Sequence, residues 1–154
     1  MEGNITIERA RPDQAGSIAE LFDAYRVFYD QPSDITKARA YIHQRLQRAE
    51  SVIFMACIHL EGTKIPAGFT QTYPSFSSLT MSRIWILNDL YVAEKFRELG
   101  IGKKLVLHTV NFARENYGRT LFLETGLSNY PAQRLYDKLG FSRDRHFAHY
   151  YFDL

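Results

Sequence analysis

The segment Arg97-Glu98-Leu99-Gly100-Ile101-Gly102 sets two glycines one residue apart, with Lys103 and Lys104 directly behind them. Without a Cβ, each glycine lets neighbouring backbone N–H groups converge, and a helix starting here would add the unpaired N–H groups of its first turn. Such a cradle suits an anion, and a diphosphate in particular. The competing reading is an ordinary strand-to-helix turn in which Gly100 merely adopts a positive φ. Of two better-known phosphate loops, spacing rules out the first and a missing glycine disfavours the second. The nucleoside-triphosphate loop ends in Gly-Lys-Ser/Thr after a longer gap between its glycines, whereas Lys104 follows Lys103 here. The dinucleotide fingerprint needs a third glycine where Leu105 stands, although Glu124 imitates its acidic residue.

A second group lies downstream in Asn129-Tyr130-Pro131-Ala132-Gln133-Arg134-Leu135-Tyr136-Asp137-Lys138-Leu139-Gly140-Phe141. Ser128 or Asn129 can cap a short helix, Pro131 is tolerated in its first turn and Gly140 can end it. Leu135 and Leu139, four apart, are expected to face a core. Tyr136 falls two turns after Asn129, nearly on the same face, so both can border one channel. In isolation Tyr136 reads first as a core aromatic. A phenol of pKa about 10 can, however, protonate a leaving thiolate of similar basicity, as thioester aminolysis requires.

These groups need a scaffold, and hydrophobic periodicity predicts a mixed α/β one. Ile5 to Arg9 alternates as an edge strand; a helix follows from Asp13 to about Phe28, with Ile18, Leu21, Phe22, Tyr25 and Phe28 at spacings of three and four. A second helix is expected from about Thr36 to Arg48, then strands at Val52–His59 and Pro66–Tyr73 joined as a hairpin, and a third at Arg83–Val92. A helix from Gly102 to Asn116, a strand at Leu121–Thr125, the short helix at 129–139 and an aromatic strand at Phe147–Phe152 complete the order. The expectation is a mostly antiparallel mixed sheet of six to seven strands flanked by about four helices.

The bulk numbers bound the partners. A chain of 154 residues, 45% apolar and 14% aromatic, fills one sizeable core, so a single domain over 1–154 is expected. With 23% charged residues and a net charge of +2, no global field points to nucleic acid or an anionic membrane. The apolar runs are strand-length, and Met1-Glu2-Gly3-Asn4 lacks the basic start and apolar run of a signal peptide; a cytoplasmic protein is expected. The lone Cys57 reads as a core residue before a catalytic thiol, and histidines at 43, 59, 108, 146 and 149 have no metal-site spacing, so no metal is expected.

Taken together, Asn88-Asp89-Leu90-Tyr91-Val92, the Arg97–Gly102 turn and Asn129-x-x-Ala132-x-x-Leu135-Tyr136-x-x-x-Gly140-Phe141 resemble, in order and spacing, the motifs of the GNAT superfamily of acetyltransferases. The Asn-Asp-Leu-Tyr-Val segment is most similar to the histone-and-polyamine branch. The resemblance covers about Arg83 to Phe141 and implies acetyl-CoA as cosubstrate. It implies that the Arg83–Val92 strand splays from its neighbour and that pantetheine lies along Leu90, Tyr91 and Val92. Backbone amides of Arg97, Glu98, Leu99, Gly100, Ile101, Gly102 and Lys103 would hold the diphosphate. Asn129 would contact the pantetheine arm, Ala132 would leave room for it, and Tyr136 would be the general acid. The base stays open: relatives place Glu or His where Asn88 stands, and Asp89 points to the other face of a regular strand unless a bulge re-aims it. Asp89, Glu124 and water without a dedicated base are the alternatives.

For the acceptor, Tyr25, Tyr29 and Asp34 combine aromatic faces with a carboxylate, which suits a cationic amine. The alternative is that the rings pack on the core while Asp34 caps the second helix. With Tyr73, Phe76 and Trp85 also available, a small polyamine-like or amino-acid-like amine is expected, with a protein lysine or N-terminal amine as the alternative. A non-catalytic acyl-CoA sensor is the alternative of a different class. The aromatic tail at Phe147–Phe152, paired with a second subunit, would make a homodimer.

Overall fold

The computed structural model describes residues 4–154. Met1 to Gly3, the start of the segment read above as lacking a signal, lie outside the described residues. The chain divides into two compact units, Met1–Glu124 and Thr125–Leu154.

In the first unit the order is β1 (Asn4–Arg9), α1 (Ala15–Phe28), α2 (Ile35–Gln47), β2 (Val52–Leu60), β3 (Thr63–Ser77), β4 (Ser82–Val92), α3 (Ile101–Glu115) and β5 (Gly118–Phe122). The strands form one sheet in the order β1-β2-β3-β4-β5, antiparallel throughout except for the parallel β4–β5 pair. Strand β2 shows why its sequence reads as an unbroken apolar run. Ile53, Met55 and Cys57 point into a cluster with Ile18, Phe22 and Ile42 of α1 and α2. Val52, Phe54, Ala56 and Ile58 point the other way, into a cluster with Leu105, Phe112 and Ala113 of α3. Period-two alternation therefore serves two cores, one on each face. Cys57 is a core residue, and burial pushes its thiol up, away from the reactive thiolate.

The β2–β3 connection is the two-residue loop Glu61-Gly62, both at positive φ (49° and 77°), the backbone that matches strand twist in tight hairpins. At the β4–β5 end, Gly118 is required by close approach. A Cβ there would lie 2.5 Å from Trp85 Cδ1 and 2.7 Å from the Ala113 carbonyl oxygen. Gly118→Ala is therefore expected to destabilise the fold by about 1–3 kcal/mol through overpacking. Urea titration followed by fluorescence of Trp85, the single tryptophan, would measure it; an unchanged midpoint would show that β5 shifts freely.

The second unit contains α4 (Tyr130–Lys138). Asn129 Oδ1 caps it by accepting from Ala132 N at 3.3 Å. At the other end Gly140 takes φ 88°, Gly140 N donates to Asp137 O at 3.2 Å and Phe141 N donates to Tyr136 O at 3.0 Å. That pair of bonds is a Schellman closure, and the accompanying apolar contact is Tyr136 against Phe141, ring centroids 5.6 Å apart. Leu135 and Leu139 are half-buried; Tyr136 is the buried residue of the helix.

Two sequence expectations need correction. Among the described residues the sheet has five strands, not six or seven, and residues 147–152 form no strand. Aromatic alternation confers β propensity, but a strand exists only where a ladder partner satisfies its backbone. The strand expected at Leu121–Thr125 starts earlier, at Gly118, because parallel pairing with Arg83 and not residue propensity sets its beginning. No helix of the described residues is long and apolar enough to cross a membrane.

Candidate active site

The site begins where the sheet opens. Strand β5 pairs with Arg83 to Ile86 of β4 and ends at Phe122, so from Leu87 to Val92 one edge of β4 has no strand partner within this unit. The backbone direction of that edge follows from its other side. Ala93 N donates to Ala67 O at 2.9 Å, and the Tyr91 carbonyl oxygen also lies toward β3, against Gly68. By alternation Leu90 and Val92 turn their polar groups to the open edge. The Val92 carbonyl there accepts from Arg97 Nε at 3.0 Å, which ties the following loop back to the strand. The guanidinium of Arg97 also sits 5.7 Å over both Phe28 and Tyr91.

That loop carries the glycines. Glu98 and Gly100 both adopt left-handed backbone, φ 66° and 75°, so the chain doubles back immediately before α3. Gly100 is the N-cap and provides no side-chain cap; the first intrahelical bond is Lys104 N to Gly100 O at 3.1 Å. The N–H groups of Ile101, Gly102 and Lys103 are thus first-turn donors without an intrahelical acceptor. Convergent N–H groups, the positive end of a 15-residue helix and two lysines fit a diphosphate.

A β-bulge governs the other end of the open edge. Gln71 opposes Asp89, but the next residue of β3, Thr72, opposes Leu87, leaving Asn88 as the extra residue. Counting by twos from Trp85, which packs on the α3 side, a regular strand would put Asp89 and Tyr91 on that side too. Instead Leu90 and Val92 pack on the α3 side and Tyr91 on the α1/α2 side. The bulge therefore turns Asp89 toward α1 and α2.

Asp89 is 3% exposed and its carboxylate is surrounded by donors. Gln71 Nε2 donates to Oδ2 at 2.5 Å, Asn88 Nδ2 donates to Oδ1 at 3.0 Å, and the Tyr25 hydroxyl also hydrogen-bonds to it. Burial raises its pKa, against the opposing pull of those three bonds. The Tyr25 hydroxyl also reaches Asn88 O at 3.4 Å, and its ring packs edge-on to Tyr29, Phe69 and Tyr91. Tyr41 and Tyr73 hydroxyls lie 2.8 Å apart, and Tyr73 is pushed up by burial, by that bond and by the Asp89 charge.

The structure thus brings Asp89, Leu90, Tyr91, Val92, Tyr25 and Tyr29 to one region, with the Arg97–Lys103 loop continuing from the same strand. Asp34 is occupied as the N-cap of α2, accepting from Lys37 N at 3.0 Å, while its own N donates to Asp23. Glu124 is exposed two residues beyond β5. Asn129, Ala132 and Tyr136 belong to the second unit: Asn129 caps α4, and Tyr136 is 8% exposed. Sequence reasoning missed Gln71 and Ser51. The available signal was Thr70-Gln71-Thr72, three polar residues in the middle strand of the sheet. Among the described residues no group of three or more His, Cys, Asp or Glu could hold a metal.

Comparison with known proteins identifies the family. The acetyltransferase (GNAT) family matches residues 18–141. An uncharacterized N-acetyltransferase, YhfO of Bacillus subtilis (strain 168), is 41% identical over 146 residues, 95% of each chain. A probable acetyltransferase of Haemophilus influenzae is 28% identical over 110 residues, covering 71% of this chain and 73% of that one. The crystal structure of a probable acetyltransferase superposes with a TM-score of 0.88 at 36% identity, covering 97% of both chains. GNAT enzymes use acetyl-CoA, and this chain is an N-acetyltransferase belonging to the GNAT family.

Proposed function

We propose that the enzyme transfers the acetyl group of acetyl-CoA to the primary amine of a small molecule, polyamine-like or amino-acid-like, by direct attack in a ternary complex. The observation that carries this reading is the open edge of β4, which runs from an anion cradle at Gly100–Lys103 to a buried carboxylate at the bulge. Leu90 and Val92 offer backbone groups to the pantetheine arm, and the cradle amides offer theirs to the diphosphate. By their place in the family motif, Asn129 and Ala132 also contact the arm. The thioester supplies an activated acetyl group.

In the reaction the amine nitrogen bonds to the carbonyl carbon, the carbon–sulfur bond breaks, and a backbone N–H stabilises the oxyanion between the two events. Tyr136 gives its proton to the departing sulfur and is reprotonated, through solvent, by the second proton that the attacking nitrogen releases as the amide forms. Asp89 receives the proton the ammonium must lose; it is preferred to the exposed Glu124 because the bulge aims it toward the aromatic surface of α1. Tyr25 and Tyr29 provide ring faces for the cation. The exposed aromatic tail, Phe147, Tyr150, Tyr151 and Phe152, supports a homodimer built through that segment, to be tested by light scattering.

The test is thiol release from acetyl-CoA across a panel of small polyamines, amino acids, lysine peptides and peptide N-termini. Turnover with small amines and little with peptides is expected. Turnover confined to peptides would establish the protein-acetylating alternative.

A further inference from the structure

Thr70, Gln71 and Thr72 are consecutive in the middle strand of the sheet, and all three are 0% exposed. Thr70 is accounted for by its bond to Thr109 of α3, 3.1 Å between hydroxyls. Gln71 faces the opposite side, in the cross-strand row between Ile53 and Asp89. A fully buried amide is costly unless both of its ends are hydrogen-bonded. Here both are. Ser51, buried just ahead of β2, donates its hydroxyl to Gln71 Oε1 at 2.9 Å, and Gln71 Nε2 donates to Asp89 Oδ2. An ionised carboxylate only accepts, so Asp89 holds the NH₂ end of Gln71 toward itself and leaves Oε1 to the Ser51 hydroxyl, which can donate.

We propose that Ser51 and Gln71 form a positioning pair that holds the Asp89 carboxylate in place to take the proton of the acceptor amine. This rests on the reading of Asp89 as the base. The pair touches no substrate and acts only through Asp89. An apolar residue at position 71 would fill the same space but leave the buried Ser51 hydroxyl and Asp89 Oδ2 without this partner, so what the amide adds beyond packing is its hold on the carboxylate. Removing its donor costs the anion more than the acid, so Asp89 would ionise at higher pH. The other titratable groups facing this region are Tyr25 and Tyr91, Tyr73 on β3, and Tyr41 with Arg45 on α2. Beyond them lie Glu50, which pairs with Arg45 at 2.8 Å, and Asp23 of α1, held low by the Ser33 hydroxyl and the Asp34 N–H, so the acid limb is assigned to Asp89 through the parallel titration of its own carboxyl.

The test compares wild type, Gln71→Met, Ser51→Ala and Asp89→Asn in two measurements: ¹³C NMR titration of the Asp89 carboxyl in the protein without coenzyme, and kcat/KM against pH with the best acceptor. Gln71→Met should move the carboxyl titration and the acid limb upward together. At a fixed pH below the limb, kcat/KM should fall about tenfold, while the high-pH plateau stays within about twofold of wild type. Ser51→Ala, a milder change that guards against misfolding of the first variant, should move both in the same direction by less. A purely structural role would lower the plateau and leave the titration in place. An unmoved Asp89 titration in both folded variants overturns the pairing. Undiminished turnover in Asp89→Asn overturns the base assignment, and with it this inference, while leaving the acetyltransferase reading intact.

Discussion

Replacing Gly102 with aspartate is expected to weaken coenzyme A binding at least 100-fold while leaving the protein as thermally stable as before, or more so. Gly102 lies in the first turn of α3 without a positive φ, so a side chain there meets no backbone penalty. A carboxylate near a helix N-terminus stabilises the helix by about 0.3–1 kcal/mol. The same carboxylate would occupy the first-turn N–H groups and repel a diphosphate aimed at them. Stability and binding therefore move in opposite directions, an outcome that general damage cannot produce. A factor of 100 corresponds to about 2.7 kcal/mol of binding free energy, a reasonable share of the charge-assisted bonds a diphosphate forms. Isothermal calorimetry and a thermal melt on the same preparation would decide it. Unaltered affinity would place the diphosphate elsewhere.

Tyr136→Phe should lower kcat at least tenfold with the dissociation constant for coenzyme A changed less than about twofold. The substitution keeps the ring that packs on Phe141 and the Schellman closure that depends only on backbone, so α4 is preserved. What is removed is one proton donor. A donor that acts as sulfur departs contributes in the transition state and little in the ground state, so the loss falls on turnover and not on binding. Single-turnover kinetics would separate the chemical step from product release. Undiminished turnover would take Tyr136 out of the mechanism.

Much of this molecule is legible from its residues, because the long elements obey period rules. Leu105, Thr109, Phe112 and Ala113, at helical spacing, form part of the buried face of α3, and the Gly100 turn falls at its N-terminus. The helices α1 and α2 and the β2–β3 hairpin lie within a few residues of where periodicity puts them. Features set by pairing between segments are not legible in the same way. The bulge at Asn88 is a mismatch between two strands, and neither strand alone records it; the side of the sheet on which Asp89 lies depends on it. Pairing likewise decided the start of β5 and the fate of the aromatic tail. The role of Gln71 was hidden for a related reason: a glutamine within a strand reads as a solvent-facing position until both faces of that strand are known to be covered. Asp34 illustrates the opposite case, since the cap of α2 that its sequence position allows is formed.

The most direct measurement is calorimetric titration of the folded wild-type chain with coenzyme A and with acetyl-CoA. Saturable binding of about one molecule per chain, weakened by added salt as a diphosphate in a cationic cradle requires, is the predicted result. Absence of binding to either ligand would contradict the account at its foundation.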